Sequence, residues 1–96
     1  LQFQQTLLDA GAEVNNALSQ WRTARQKTVL DREQVEHLKD ALRDTELLME
    51  HGTTNYLEVL TARQSLLVAR LSLVADRNAE IKSVITLYHA LGGGNN

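Results

Sequence analysis

The sequence predicts an all-α fold, an antiparallel coiled-coil hairpin of two long helices, and three observations carry that prediction. Apolar residues recur every seven positions in both halves of the chain, a glycine followed by a helix cap separates the halves, and no proline interrupts either. Gly11 and Gly52 are the only glycines before the run Gly92-Gly93-Gly94, so few residues can punctuate the backbone. The composition points the same way. Leu, Ala, Gln, Glu and Arg are plentiful, whereas Phe3, Trp21, Tyr56 and Tyr88 are the only aromatics.

The first helix is expected over residues 1–51. Leu7, Val14, Trp21, Thr28, Val35, Leu42 and Met49 stand seven apart, with Ala10, Ala17, Ala24 and Leu38 three places after members of that series. The three alanines predict close approach of a neighbouring helix between Ala10 and Ala24. Asp31 and Thr45 interrupt the same stripe, so packing is expected to loosen towards the turn. The turn itself is expected at residues 52–55. Gly52 can take the left-handed conformation that closes a helix, and Asn55-Tyr56-Leu57-Glu58 has the pattern of a reciprocal cap. In that pattern Asn55 accepts from an early amide and Glu58 reaches back to the cap residue.

The second helix is expected over residues 56–91, ended by Gly92, with a flexible tail at 92–96. It carries two apolar stripes. One is Leu60, Leu67, Val74, Ile81 and Tyr88, flanked by Leu57, Leu71 and Ile85. The other is Val59, Leu66, Leu73 and Leu87, about 100° round the helix. One partner helix cannot cover both, so the second helix wants neighbours on two sides, as in the wall of a bundle or barrel, and the isolated chain is expected to self-associate. At about 1.5 Å per residue the first helix should extend about 75 Å, which makes a rod rather than a globule.

Arg63, Arg70 and Arg77 also recur every seven residues, between the two stripes. If closure around Gly52 pairs residues whose numbers sum to about 105, their partners are Asp40 or Asp44, Glu33 or Glu36, and Asp31, which would form an interhelical ion ladder. Equally open is that these arginines lay their stems over apolar neighbours.

Several function classes find no support. A net charge of −2 with both signs interspersed gives no electrostatic case for nucleic acid or an anionic membrane surface. The most apolar stretch, Ser65 to Ala75, is too short to span a bilayer and contains Arg70. There is no cysteine, and Glu33 and His37, although four apart, have no third ligand nearby and read as a solvated pair, so neither a metal site nor a cofactor is expected. No nucleophile and base stand at a recognisable spacing, and no glycine-rich phosphate loop is present, so no enzyme is expected. The opening Leu-Gln-Phe has no initiator Met and reads as part of something larger.

The run Gly52-Thr53-Thr54-Asn55-Tyr56-Leu57-Glu58-Val59-Leu60-Thr61-Ala62, then Arg63-Gln64-Ser65-Leu66, resembles the periplasmic tip of TolC-type outer-membrane efflux proteins. The ending Leu87-Tyr88-His89-Ala90-Leu91-Gly92-Gly93-Gly94 resembles the close of the same proteins, and Phe3 to Leu8 with Val14 to Leu18 fits the helix leading down to the tip. The resemblance implies a homotrimeric channel in the outer membrane of a Gram-negative bacterium, each protomer giving two such hairpins to an α-helical barrel in the periplasm. This chain looks like the second hairpin. The tip would close the channel entrance and meet a periplasmic adaptor, which couples it to an inner-membrane pump, in a tripartite efflux or type I secretion system. By position, Met49, Leu57, Glu58 and Thr61 resemble the constriction, and His51, Gly52, Thr53 and Thr54 the adaptor-docking turn. Three departures stand out: Thr61 where a second acid is common, His51 where a small apolar residue often precedes the glycine, and Met49 where some members have an aromatic. Glu58 can serve either as a gate carboxylate or as the acid of the cap. The competing reading of the whole chain is a structural coiled coil, or the adaptor hairpin acting as a binding module. The glycine-run ending argues against the adaptor.

Overall fold

The computed structural model describes residues 2–93 and holds two elements, α1 over Gln2–Glu50 and α2 over Tyr56–Gly93. They lie against each other as an antiparallel hairpin 76 Å long and 14 Å wide. Its length is what a continuous α1 at about 1.5 Å per residue requires. The second helix continues through Gly92 to Gly93. Nothing within 4 Å of Gly92 would obstruct even a side chain there, and glycine weakens a helix without forbidding it. Of the tail expected at 92–96, residues 94–96 lie outside the described residues.

The α1 face predicted from its heptads is the face that meets α2. Ala17, Thr28 and Val35 are buried, and Ala10, Val14, Trp21, Ala24, Asp31, Leu38, Leu42 and Thr45 are half-buried. Asp31 and Thr45, which read as interruptions, are thus inward members of the seam. The ends of the series drop out: Leu7 is exposed and so is Met49.

On α2 the hairpin uses the Val59 stripe. Val59 is fully buried, Leu66 nearly so, and Leu73 and Leu87 are half-buried; Ala69 and Ala90, three places after Leu66 and Leu87, are also buried, as is Ser83 one turn before Leu87. The register follows from the short turn, because Thr28 Oγ1 donates across the seam to the Asp76 carbonyl at 3.4 Å, a pairing close to the expected sum of 105. The same hydroxyl also donates to Ala24 O of its own helix at 3.1 Å, the usual way a threonine satisfies itself inside a helix.

Packing does not loosen towards the turn, contrary to the expectation from Asp31 and Thr45. The apolar cluster of Val35, Leu66 and Ala69, with Leu38, Leu42 and Leu73 against it, lies on the turn side of the rod's middle, and Val59 is sealed beside the turn. Large and small residues alternate across the seam. Beside the turn, where α1 brings Thr45, α2 brings Val59; where α1 brings Trp21, α2 brings Ser83.

The other α2 stripe is open to solvent along its whole length. Leu57, Leu60, Leu67, Leu71, Val74, Ile81, Ile85 and Tyr88 are all exposed, Tyr88 by 77%. Single exposed leucines are ordinary, but a continuous apolar row down one face of a helix is a surface built to be covered. Among the described residues no helix is long and apolar enough to cross a membrane.

Candidate functional site: the turn at Gly52

The turn is fixed by hydrogen bonds that its sequence dictates. Gly52 sits at φ +74°, the left-handed region where a side chain is disfavoured. With that one residue reversed, Gly52 N–H donates to Met49 O at 3.0 Å and Thr53 N–H donates to Leu48 O at 2.9 Å. These are the paired bonds of a Schellman end, and they satisfy carbonyls that the last turn of α1 would leave orphaned. The Thr53 hydroxyl adds a third bond to Leu48 O at 2.8 Å. His51 lies against the same end, its Nδ1 at 2.8 Å from Leu47 O. A carbonyl can only accept, so Nδ1 carries the hydrogen and Nε2 faces outward from that bond.

At the start of α2, Asn55 Oδ1 accepts from Glu58 N–H at 3.0 Å, as the cap predicts. The reciprocal half differs. The Glu58 carboxylate does not return to the Asn55 amide; it accepts the Thr54 hydroxyl instead. A hydroxyl on the residue before the cap reaches the carboxylate first, and a charged acceptor holds it firmly. Thr61 Oγ1 is occupied as well, donating to Leu57 O at 3.0 Å, so Leu57 and Thr61 lie on one face of α2 while Glu58 stands on the next.

The residues read as a constriction are all exposed, on the last turn of α1 and the first turns of α2. Met49 is exposed on the last turn of α1, Leu57 is 69% exposed on the first turn of α2, and Glu58 and Thr61 are exposed with their polar atoms bound locally. The residues read as a docking turn are contiguous, with His51, Gly52 and Thr53 exposed and Thr54 half-buried. The Thr54 to Glu58 bond had no separate signal in the sequence, because the cap motif predicts a different partner for the same carboxylate.

The expected ion ladder is not formed. Arg63, Arg70 and Arg77 are exposed, and the ion pairs among the described residues are Lys39 with Glu36 and Arg43 with Asp40, each within α1 at 3.5 Å. Register explains the failure. Arg70 borders a groove with Lys39, Leu42, Arg43, Glu46 and Leu66, so the flank of α1 that it meets is mainly basic, and of the acids assigned to it Glu36 answers to Lys39 on its own helix. Trp21 is engaged from its own helix too, with the Arg25 guanidinium 5.5 Å from its ring centre.

The sequence comparison is consistent along the whole hairpin. A family described as "Outer membrane efflux protein" matches residues 1–93, the turn and both helices included. The chain belongs to the outer membrane efflux protein family. Within it, the chain is 33% identical over 92 residues to the cation efflux system protein CusC of Escherichia coli, an overlap of 96% of this chain and 20% of that protein. It is 30% identical over 92 residues to the probable efflux pump outer membrane protein TtgC and the antibiotic efflux pump outer membrane protein ArpC, both of Pseudomonas putida. These overlaps cover 96% of this chain and 19% of each protein, so the chain spans about one fifth of the length of the curated relatives it matches. No solved structure matches it significantly.

Proposed function

We propose that this hairpin is a periplasmic tunnel segment of an outer-membrane efflux channel, and that its turn forms part of the entrance and of the adaptor-docking tip in a tripartite efflux or type I secretion system. The observation that carries the reading is the open apolar row of α2 from Leu57 to Tyr88 in a chain of this family. A helix with one stripe spent on its own hairpin and a second running the same length needs another helix beside it throughout. A closed wall of hairpins meets that need, and in the full-length protein three protomers supply the wall. The duct is passive: transport is driven by an inner-membrane pump that reaches it through the adaptor, and the hairpin has no catalytic part.

At the mouth, His51, Gly52, Thr53 and Thr54 present a compact, hydrogen-bonded end to the adaptor. Glu58, repeated around a threefold axis with Met49, Leu57 and Thr61 nearby, places a ring of carboxylates at the constriction. Such a ring attracts cations and resists closure by mutual repulsion. The Thr54 hydroxyl holds the Glu58 side chain to the turn, which ties docking residues and gate residue in one bond. Single-channel recording from the full-length protein in planar bilayers tests this. Glu58→Gln should lower cation selectivity and change conductance; unaltered values would remove Glu58 from the gate, and a full-length protein that forms no channel would overturn the whole reading.

A further inference from the structure

The seam holds two acids that the efflux reading does not use. Asp31 of α1 and Asp76 of α2 both occupy inward heptad positions, beside the buried Thr28 whose hydroxyl reaches the Asp76 carbonyl. Thr28 meets Asp76 across the seam and Asp31 stands three residues further along the same α1 face, so the two carboxyl groups occupy neighbouring places on facing sides of the seam. Asp31 Oδ2 is sealed from water and has no hydrogen-bond partner. A sealed carboxylate oxygen facing a second carboxylate is costly in two ways, by lost hydration and by like-charge repulsion. One proton relieves both, because a neutral Asp31 donates to Asp76 and closes the gap across the seam.

We propose that Asp31 and Asp76 share one proton and act as a pH-dependent clasp between the two helices, closed in acid and released as the pH rises. The surrounding charges do not cancel it. Lys27, one turn before Asp31 on the same helix, favours ionisation but is outweighed by the hydrogen bond that Asp31 gives Asp76, by burial and by the Asp76 charge. Arg32 and Glu33 on α1, and Arg70 and Arg77 on α2, are exposed and none pairs with either carboxylate. Glu80, the next inward acid of α2, is half-buried and adds negative charge to the same stretch.

The direction of the effect follows from linkage. Asp31 is held above the ordinary aspartate range in the folded hairpin, chiefly by its hydrogen bond with Asp76, so the folded state keeps a proton that the unfolded chain gives up. The clasp's stabilisation is complete below the ordinary aspartate range and is lost as the pH rises through the folded value. This clasp is independent of what the channel carries.

Hydrogen exchange of the full protein at a series of pH values, corrected for the intrinsic rate, tests it. The opening constant of the seam around Asp31 and Asp76, taken relative to that of Asp31→Asn, should rise with pH. The rise is about tenfold for each unit by which the shared proton outlasts that of a free aspartate. Asp76→Asn should flatten the profile in the same way. A ratio that stays constant with pH, or a seam that tightens as the pH rises, would overturn the clasp. Should both variants fail to fold, carboxyl-carbon NMR of the wild-type chain reads the proton directly, and Asp31 titrating in the ordinary aspartate range would overturn it equally.

Discussion

Leu66 and Leu67 are adjacent in sequence, chemically identical and set on different faces of α2, so truncating each to alanine separates the two apolar stripes. Leu66 is 5% exposed and lies in the cluster with Val35 and Ala69. Leu66→Ala removes three carbon groups at about 0.8 kcal/mol each, for a loss of about 2.4 kcal/mol. A further cavity term is small here, because a groove of about 300 Å³ already opens beside Leu66 and lets water and side chains fill the space. Leu67 is 57% exposed, so Leu67→Ala forfeits somewhat under half of that amount, about 1 kcal/mol. The helix propensity gained with alanine is the same for both and cancels in the difference. Urea unfolding followed by far-UV circular dichroism, at concentrations where the chain is monomeric, should therefore rank Leu66→Ala as the more damaging by about 1.4 kcal/mol, a tenfold difference in equilibrium constant. In the assembled full-length protein the gap should close as Leu67 is covered. Equal losses in the monomeric hairpin would refute the assignment of the Val59 stripe to the internal seam.

Two perturbations test the turn. Gly52→Ala should cost about 1 kcal/mol from the left-handed backbone alone, since no atom lies within 4 Å of the position a Cβ would take; Gly52→Asn should cost less, and calorimetric melting ranks the three. Asn55→Ala should remove about 1 kcal/mol of cap, seen as faster amide exchange confined to the first turn of α2, whereas Asn55→Asp should retain most protection.

The first helix was legible from its sequence almost residue by residue, because one heptad series dominates it and its members from Val14 to Leu42 all turn inward. The turn was equally legible, since Gly52 and Asn55 act within a few residues of themselves. The second helix was legible only as a pair of stripes. Both are apolar, and which one faces α1 depends on how the five-residue connection sets rotation about the helix axis, a tertiary fact with no composition signal. That ambiguity hid the rest. The arginines at 63, 70 and 77 looked paired because they were matched to acids by number alone, and for Arg70 that left out the basic Lys39 and Arg43 that share its groove. Asp76 could not be recognised as facing Asp31 until the Val59 stripe was known to be the inner one. At the candidate site, the residues read as the docking turn adjoin one another by chain order alone, whereas the Thr54 partner of Glu58 depended on a competition between two nearby donors that spacing does not decide.

A body 76 Å long and 14 Å across is a lever arm. Rotation about its far end moves Gly52 many times farther than it moves the residues near the pivot, so the turn can travel ångströms while contacts near Ala17 and Ala90 shift by less than a side-chain rotamer change. The buried small side chains of that end of the seam, Ala17 and Ala90, suit it to be the fulcrum, because small packed residues leave little room for side chains to slide past one another. Mechanical gain in such a rod comes from its proportions, before any chemistry at the tip is added.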